Sequence, residues 1–140
     1  MKSTAPLVGK KLTTALDDVV RQILHKKYPW PTCFVCESPL ERGWFHPQKN
    51  PKGCQVGHYV SRTIFQLRWD LNNVWPQGSP CNRIHVTNTI PFTARVIEKH
   101  GEARIEYLNE RFKEYKGKSM TTLERRALLY DLQKILESLP

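Results

Sequence analysis

The stretch from residue 29 to residue 88 constrains this chain more than any other. It holds seven of the ten prolines, all four tryptophans and all four cysteines. Proline fixes φ and cannot donate to a helix or sheet ladder, so long regular elements are excluded here in favour of short strands and tight turns. The strand candidates are Gln55-Val-Gly-His-Tyr-Val60 and Leu71-Asn-Asn-Val-Trp75. A segment so rich in turns buries little ordinary core, and a metal gripped by its cysteines would supply the missing cohesion.

Both flanks read as helical. From Lys11 to Lys27 apolar residues fall at Leu12, Leu16, Val19, Val20, Ile23 and Leu24, near a 3.6-residue period, and Pro29 and Pro31 stop the helix. Downstream, PFTARVIEKHG reads as a helix ended by Gly101, and EARIEYLNERFKEYKG as one closed by Gly117. Thr121-Thr-Leu-Glu124 is a capping-box pattern ahead of Leu128, Leu129, Leu132, Ile135 and Leu136. At 140 residues the chain suits one α+β domain. It divides into a tail and helix (1–28), a cysteine-bearing core (29–100) and a helical extension (101–140).

Lys plus Arg number 22 against 13 Asp plus Glu, a net charge of +9 that points to a polyanionic partner. Nucleic acid is the first candidate and an anionic membrane surface the second. No apolar run approaches the roughly 18 residues that a membrane span needs, and MKSTAPLVGKKLTT lacks the apolar stretch of a signal peptide. A cytoplasmic location is the expectation. In that reducing compartment, four cysteines read as metal ligands before they read as disulfides.

Cys33-Phe-Val-Cys36 is a zinc knuckle in outline, since two thiolates three positions apart can grip one tetrahedral ion. A redox pair has the same spacing but belongs between a strand and a helix, whereas this one lies between prolines. Cys81 is the natural third ligand. A second C-x-x-C would need cysteine at position 78, which is Gly78, so Cys54 is the first substitute, with His85 or His46 as alternatives. Cys54 also reads as a small buried residue. Asn82, directly after Cys81, offers an amide oxygen to a hard divalent cation, or else merely caps a helix. His58 has three readings: a packed core residue, a zinc ligand, or a base that takes a proton from water.

A histidine on a strand, an asparagine in the following loop and an asparagine right after the last zinc cysteine resemble the HNH, or ββα-metal, nuclease motif, here at His58, Asn73 and Asn82. More narrowly, Gly57-His-Tyr-Val-Ser-Arg62, Leu67-Arg-Trp-Asp-Leu-Asn-Asn73 and Cys81-Asn-Arg83, with Asn88, are similar to blocks of the NinG (Rap) recombination proteins of lambda-like phages. Those blocks are G-H-Y-x-S-R, R-F-D-x-x-N and C-x-x-C-N-R. The Cys-Asn step also resembles phage endonuclease VII. The resemblance covers roughly residues 30 to 105.

It implies a small zinc-stabilised ββα-metal core flanked by an N-terminal helix and C-terminal helices. The implied activity is metal-dependent cutting of branched DNA, such as Holliday junctions or D-loops, with structural Zn²⁺ and catalytic Mg²⁺ or Mn²⁺. His58 would then be the base and Asn82 a cation ligand. Asn73 would orient the loop or hold the His58 ring, and Arg62, Arg68 and Arg83 would clamp phosphates. Two departures stand out. Gly78 replaces a zinc cysteine, which promotes Cys54. Gly57 stands where many HNH nucleases carry an acidic or histidine metal ligand, although the NinG block has the same glycine. The missing ligand is sought first at Asp70, then at Gln55 or His46. The rival from a different class is a non-catalytic zinc-ribbon DNA-binding module in which His58 or His85 completes the zinc site, and a DNA-packaging accessory is a third reading. The apolar stripes of the flanking helices also suit a homodimer.

Overall fold

The computed structural model describes residues 6–40 and 53–140, so His46 lies outside the described residues. The elements are α1 (Gly9–Lys27), β1 (Gln55–His58), α2 (Phe65–Arg68), β2 (Val74–Gln77), α3 (Ser79–Thr87), α4 (Ile90–His100), α5 (Glu102–Tyr115) and α6 (Thr122–Ser138). The architecture is mixed α/β, mostly helical, with one two-stranded antiparallel sheet. No helix among the described residues is long and apolar enough to cross a membrane.

β1 and β2 pair Gln55 with Gln77, Val56 with Pro76, Gly57 with Trp75 and His58 with Val74. Side chains alternate across a strand, so Val56, His58 and Val74 share one face, while Gln55, Trp75 and Gln77 share the other. Each face serves its own core. Val74 and Val56 pack with the apolar stripe of α1 and with Leu132 of α6. Trp75 packs with Phe92 and Val96 of α4 and Leu108 of α5. The short hairpin is thus clamped between two helical layers, and its fixed position decides where β1 carries His58.

The flanking helices form where their stripes and caps direct. All six apolar positions of α1 are buried. Gly101 and Gly117 take φ of 85° and 77° after α4 and α5, a conformation that costs glycine little and other residues much. The Thr121–Glu124 capping box is closed in both directions, each bond at 3.1 Å. Two expected strand bounds shift. Tyr59 and Val60 leave β1 as a bend, and β2 starts only at Val74. The physical reason is Asn73: its carbonyl still accepts from Tyr59 N–H at 3.1 Å, but its buried side chain takes both the N–H and the carbonyl of Val60, which ends the ladder there.

Candidate metal centre and nucleic-acid cleft

The ligand sulfurs of Cys33, Cys36 and Cys81 lie within 4.8 Å of one another. Local backbone geometry builds this group. Cys33 N–H donates to Ser38 O and Glu37 N–H to Cys33 O, both at 2.8 Å, which curls the Cys33–Cys36 turn back on itself. A bridge between Thr32 and Pro39 closes it, and Glu37 takes the left-handed φ of 64° that the turn requires. Phe34 N–H donates to Pro76 O at 2.9 Å, and the Phe34 ring stacks on Trp75 with centroids 4.8 Å apart. The knuckle is therefore fastened to β2, whose chain runs on through Gly78 into α3 and delivers Cys81. The Arg95 guanidinium of α4 secures it from the far side through Phe34 O and Glu37.

Three converging thiols fit a soft, tetrahedral ion such as zinc. Hydrogen bonding to Ser38, foremost through its side chain, holds the exposed Cys36 thiol down to about 7, so a thiolate is at hand near neutral pH.

Cys54 does not join the group, and this corrects the expectation. It is fully buried in the α1–α6 core, its sulfur 3.8 Å from Gln55 O, and burial pushes the thiol up to about 12. Buried among apolar side chains and outside the cluster of the other three sulfurs, Cys54 fits the small core residue of the two readings. His85 stays outside as well: its Nε2 donates to Tyr59 O at 2.7 Å and its ring packs on Phe92. A Cβ at position 78 would lie 4.0 Å from Cys33 Cβ, so Gly78 borders the group and withholds a thiol from it. Among the described residues the group holds three ligands.

Beside the knuckle opens a cleft of about 830 Å³. α1 lends Asp17, Val20 and Arg21 to its wall; β1 and the turn after it lend Gln55, His58 and Arg62; α3 lends Asn82, Arg83 and Val86. His58 is half-buried there, with Nε2 at 2.9 Å from Arg68 O. A carbonyl oxygen only accepts, so in the neutral ring Nε2 carries the proton and Nδ1 the lone pair. Burial, aided by the Arg68 and Arg62 cations, lowers the pKa of His58 below its ordinary 6.5. The ring is neutral, with a fixed tautomer, at physiological pH.

Asn73 is fully buried and acts on the loop, not on the ring. Its Oδ1 accepts from Val60 N–H at 2.8 Å, and its Nδ2 donates to Val60 O and Leu67 O, both at 3.0 Å. These bonds hold together the turn on which Arg68 O is presented to His58. The partner of the His58 ring is thus a backbone carbonyl. Asn82 lies inside α3, whose N-cap is Gly78, so it caps nothing; its Nδ2 donates to Gln55 Oε1 at 2.9 Å. That leaves Asn82 Oδ1 without a donor among the described residues.

Two further expectations are corrected. Asp70 does not line the cleft; its carboxylate accepts from Asn72 N–H at 2.8 Å and from the Tyr107 hydroxyl at 2.7 Å, and so faces α5. Arg68 lines the cleft but its cation is already matched. Nε and Nη2 bind the two oxygens of Asp17 at 2.9 and 2.6 Å, a two-point pairing that leaves it little charge to offer a phosphate. Arg62 and Arg83 are exposed and line the cleft.

Sequence reading missed Asp17. Its Oδ1 also accepts from Trp69 Nε1 at 2.8 Å, so one α1 carboxylate anchors the segment that holds His58. The available signal was its place at the edge of the α1 apolar stripe, next to Leu16 and three residues before Val20.

The family model of the bacteriophage lambda NinG protein matches residues 46–136, more than half of the chain. This chain belongs to the NinG family. The match takes in β1, α2, β2 and α3 with the whole cleft segment from Gln55 to Thr89, so the NinG family shares the part of the chain that carries His58, Asn73 and Asn82. Cys33, Cys36 and α1 with Asp17 fall before the NinG match. No curated protein and no solved structure matches the chain.

Proposed function

We propose that this NinG-family protein is a metal-dependent endonuclease of the HNH type that hydrolyses phosphodiester bonds in branched DNA during phage recombination. The observation that carries the reading is His58, its tautomer set by Arg68 O, in one cleft with Asn82 on a strand–strand–helix unit beside three clustered thiols. In this reading zinc sits at Cys33, Cys36 and Cys81 and stiffens the start of α3, which aims Asn82.

Catalysis then divides among the residues of the cleft. His58 Nδ1 takes a proton from the attacking water, work that suits a neutral imidazole and contributes about 10²–10⁴ in rate. Arg62 and Arg83 present forked donors to the phosphates on either side of the bond being cut. Asn73 keeps the loop, and through it the imidazole, from turning away. A hard divalent cation fits the amide oxygens of Asn82 and Gln55, which are neutral oxygen donors; when bound, Mg²⁺ or Mn²⁺ supplies positive charge at the phosphate and at the leaving 3′ oxygen. DNA as substrate is in keeping with the +9 charge, which favours a polyanion, and a branched form of it with membership of a phage recombination-related family. The exposed apolar residues of α6, Leu123, Tyr130 and Ile135, leave room for a second copy, which a two-fold junction would match.

The test is nicking of supercoiled plasmid by the zinc-loaded chain with Mg²⁺, Mn²⁺ or EDTA. Nicking only with the added divalent ion supports the nuclease. Retardation of the plasmid without nicking under every ion would leave a zinc DNA-binding module instead. The same assay carries a pH prediction. His58 must be neutral to act, and its pKa is lowered, so activity should persist below pH 6.5 and fall only as pH drops through that lowered value. An acidic limb centred at 6.5 or above would contradict the role of the buried ring.

A further inference from the structure

Gln77 is fully buried, yet neither its Oε1 nor its Nε2 has a hydrogen-bond partner among the described residues. A buried carboxamide with both ends unmet is strongly disfavoured unless something else meets it. Its surroundings say what that would be. Gln77 stands directly opposite Gln55 in the β1–β2 ladder, so the two side chains share a sheet face and lie within reach of each other. Gln55 Oε1 in turn bonds Asn82 Nδ2. Gln55 and Asn82 thus meet where α3 crosses the hairpin, and Gln77 stands across the ladder from Gln55, behind the cleft wall. Gly57 is what lets Gln77 in. A Cβ at position 57 would lie 2.8 Å from Gln77 Cβ, 2.9 Å from its Cδ and closer still to Oε1. The Gln77 amide therefore fills the space a side chain at position 57 would occupy, the position just before His58.

We propose that Gln77 Oε1 is a ligand of the hard divalent cation, supplying with Asn82 and Gln55 the donor that Gly57 lacks. This deepens the nuclease reading and rests on it. Three amide oxygens are hard, neutral donors that suit Mg²⁺ or Mn²⁺ and leave coordination positions for water and a phosphate oxygen. Because these three donors bring no negative charge, a phosphate adds it, so cation and DNA bind together.

The test measures Mn²⁺ binding to the zinc-loaded full chain by loss of the free-ion EPR signal, with and without a short DNA duplex. Wild type, Asn82→Ala, Gln77→Leu and Gln77→Glu are compared. Gln77→Leu keeps the shape and removes both unmet groups, so it should keep its fold and zinc but lose at least about tenfold in Mn²⁺ affinity, as Asn82→Ala does. Gln77→Glu should bind Mn²⁺ more tightly than wild type, a gain that a purely structural glutamine would not give. Should the leucine variant fail to fold, Gly57→Asp combined with Gln77→Ala puts a carboxylate into the vacated space and should bind Mn²⁺ at least as well as wild type. Unchanged affinity in Gln77→Leu beside a loss in Asn82→Ala overturns the role of Gln77 and leaves the nuclease reading standing. Affinity unchanged in both variants, or no Mn²⁺ binding by wild type, overturns both.

Discussion

Stripping zinc from the protein with a strong chelator is expected to unfold the segment from Pro31 to Thr87. Among its described residues that segment contains one four-residue pair of strands and two short helices, and its buried residues, such as Leu67, Trp69 and Trp75, complete their packing only against the flanking helices. The bonds that shape the knuckle, from Cys33, Phe34 and Glu37, are few and near the surface. Structural zinc sites contribute on the order of 10 kcal/mol to small domains, comparable to the whole stability of a typical fold. Cys81→Ser should behave similarly, because it removes the one sulfur that ties α3 to the knuckle. The measurement is a thermal melt by circular dichroism together with zinc content. A large fall in melting temperature on loss of zinc, with α1 and α6 retaining helix longest, is the expected result. The same melting temperature with and without zinc would mean that the three thiols merely lie close together.

His58→Ala is expected to lower single-turnover cleavage by about 10²–10⁴, the contribution of a positioned base. Affinity for DNA should hardly change, since Arg62 and Arg83 remain. The cost to stability should be near 1 kcal/mol, the usual net value of a hydrogen bond such as the one the ring makes to Arg68 O. Asp17→Asn should reduce cleavage less, because it weakens the grip on Arg68 and Trp69 without touching the ring itself. An alanine variant that cuts at the wild-type rate would remove His58 from the chemistry, whatever its place in the cleft.

The helices were legible because their signals are local. The α1 stripe, the two glycines with positive φ and the Thr121–Glu124 box each depend on residues within a turn or two of one another. The knuckle was also legible, since Cys33 and Cys36 share one turn and Cys81 follows Pro80 at a helix start. What spacing could not decide was how Cys54 faces. It lies one residue before β1, and only the packing of α1 against the hairpin makes its position a core site.

The cleft was harder to read because its parts come from distant places. Asp17 meets Arg68 and Trp69 across more than fifty residues, and its place at the edge of the α1 stripe marks it as near the core without naming its partners. That same contact turned Arg68 from a phosphate clamp into a structural ion pair. Asp70 looked like the missing carboxylate by its nearness in sequence, but the turn Asp70–Asn73 rotates it towards Tyr107 of α5. Of the two readings of Asn73, orienting the loop or holding the His58 ring, its three bonds fit the first, since all go to the backbone of the loop. Gln77 escaped notice because the cue was an absence, the missing side chain at Gly57, whose meaning depends on which strand lies opposite.

The most direct test of the account is cleavage of a labelled four-way junction beside a linear duplex of the same sequence, by the zinc-loaded chain with Mg²⁺, Mn²⁺ or EDTA. The account predicts that the junction is cut in the presence of either divalent ion, that EDTA stops it, and that the duplex is cut much more slowly. A junction that is bound but left intact under every ion would contradict it, and the cleft would then be a docking surface for DNA rather than a place where DNA is hydrolysed.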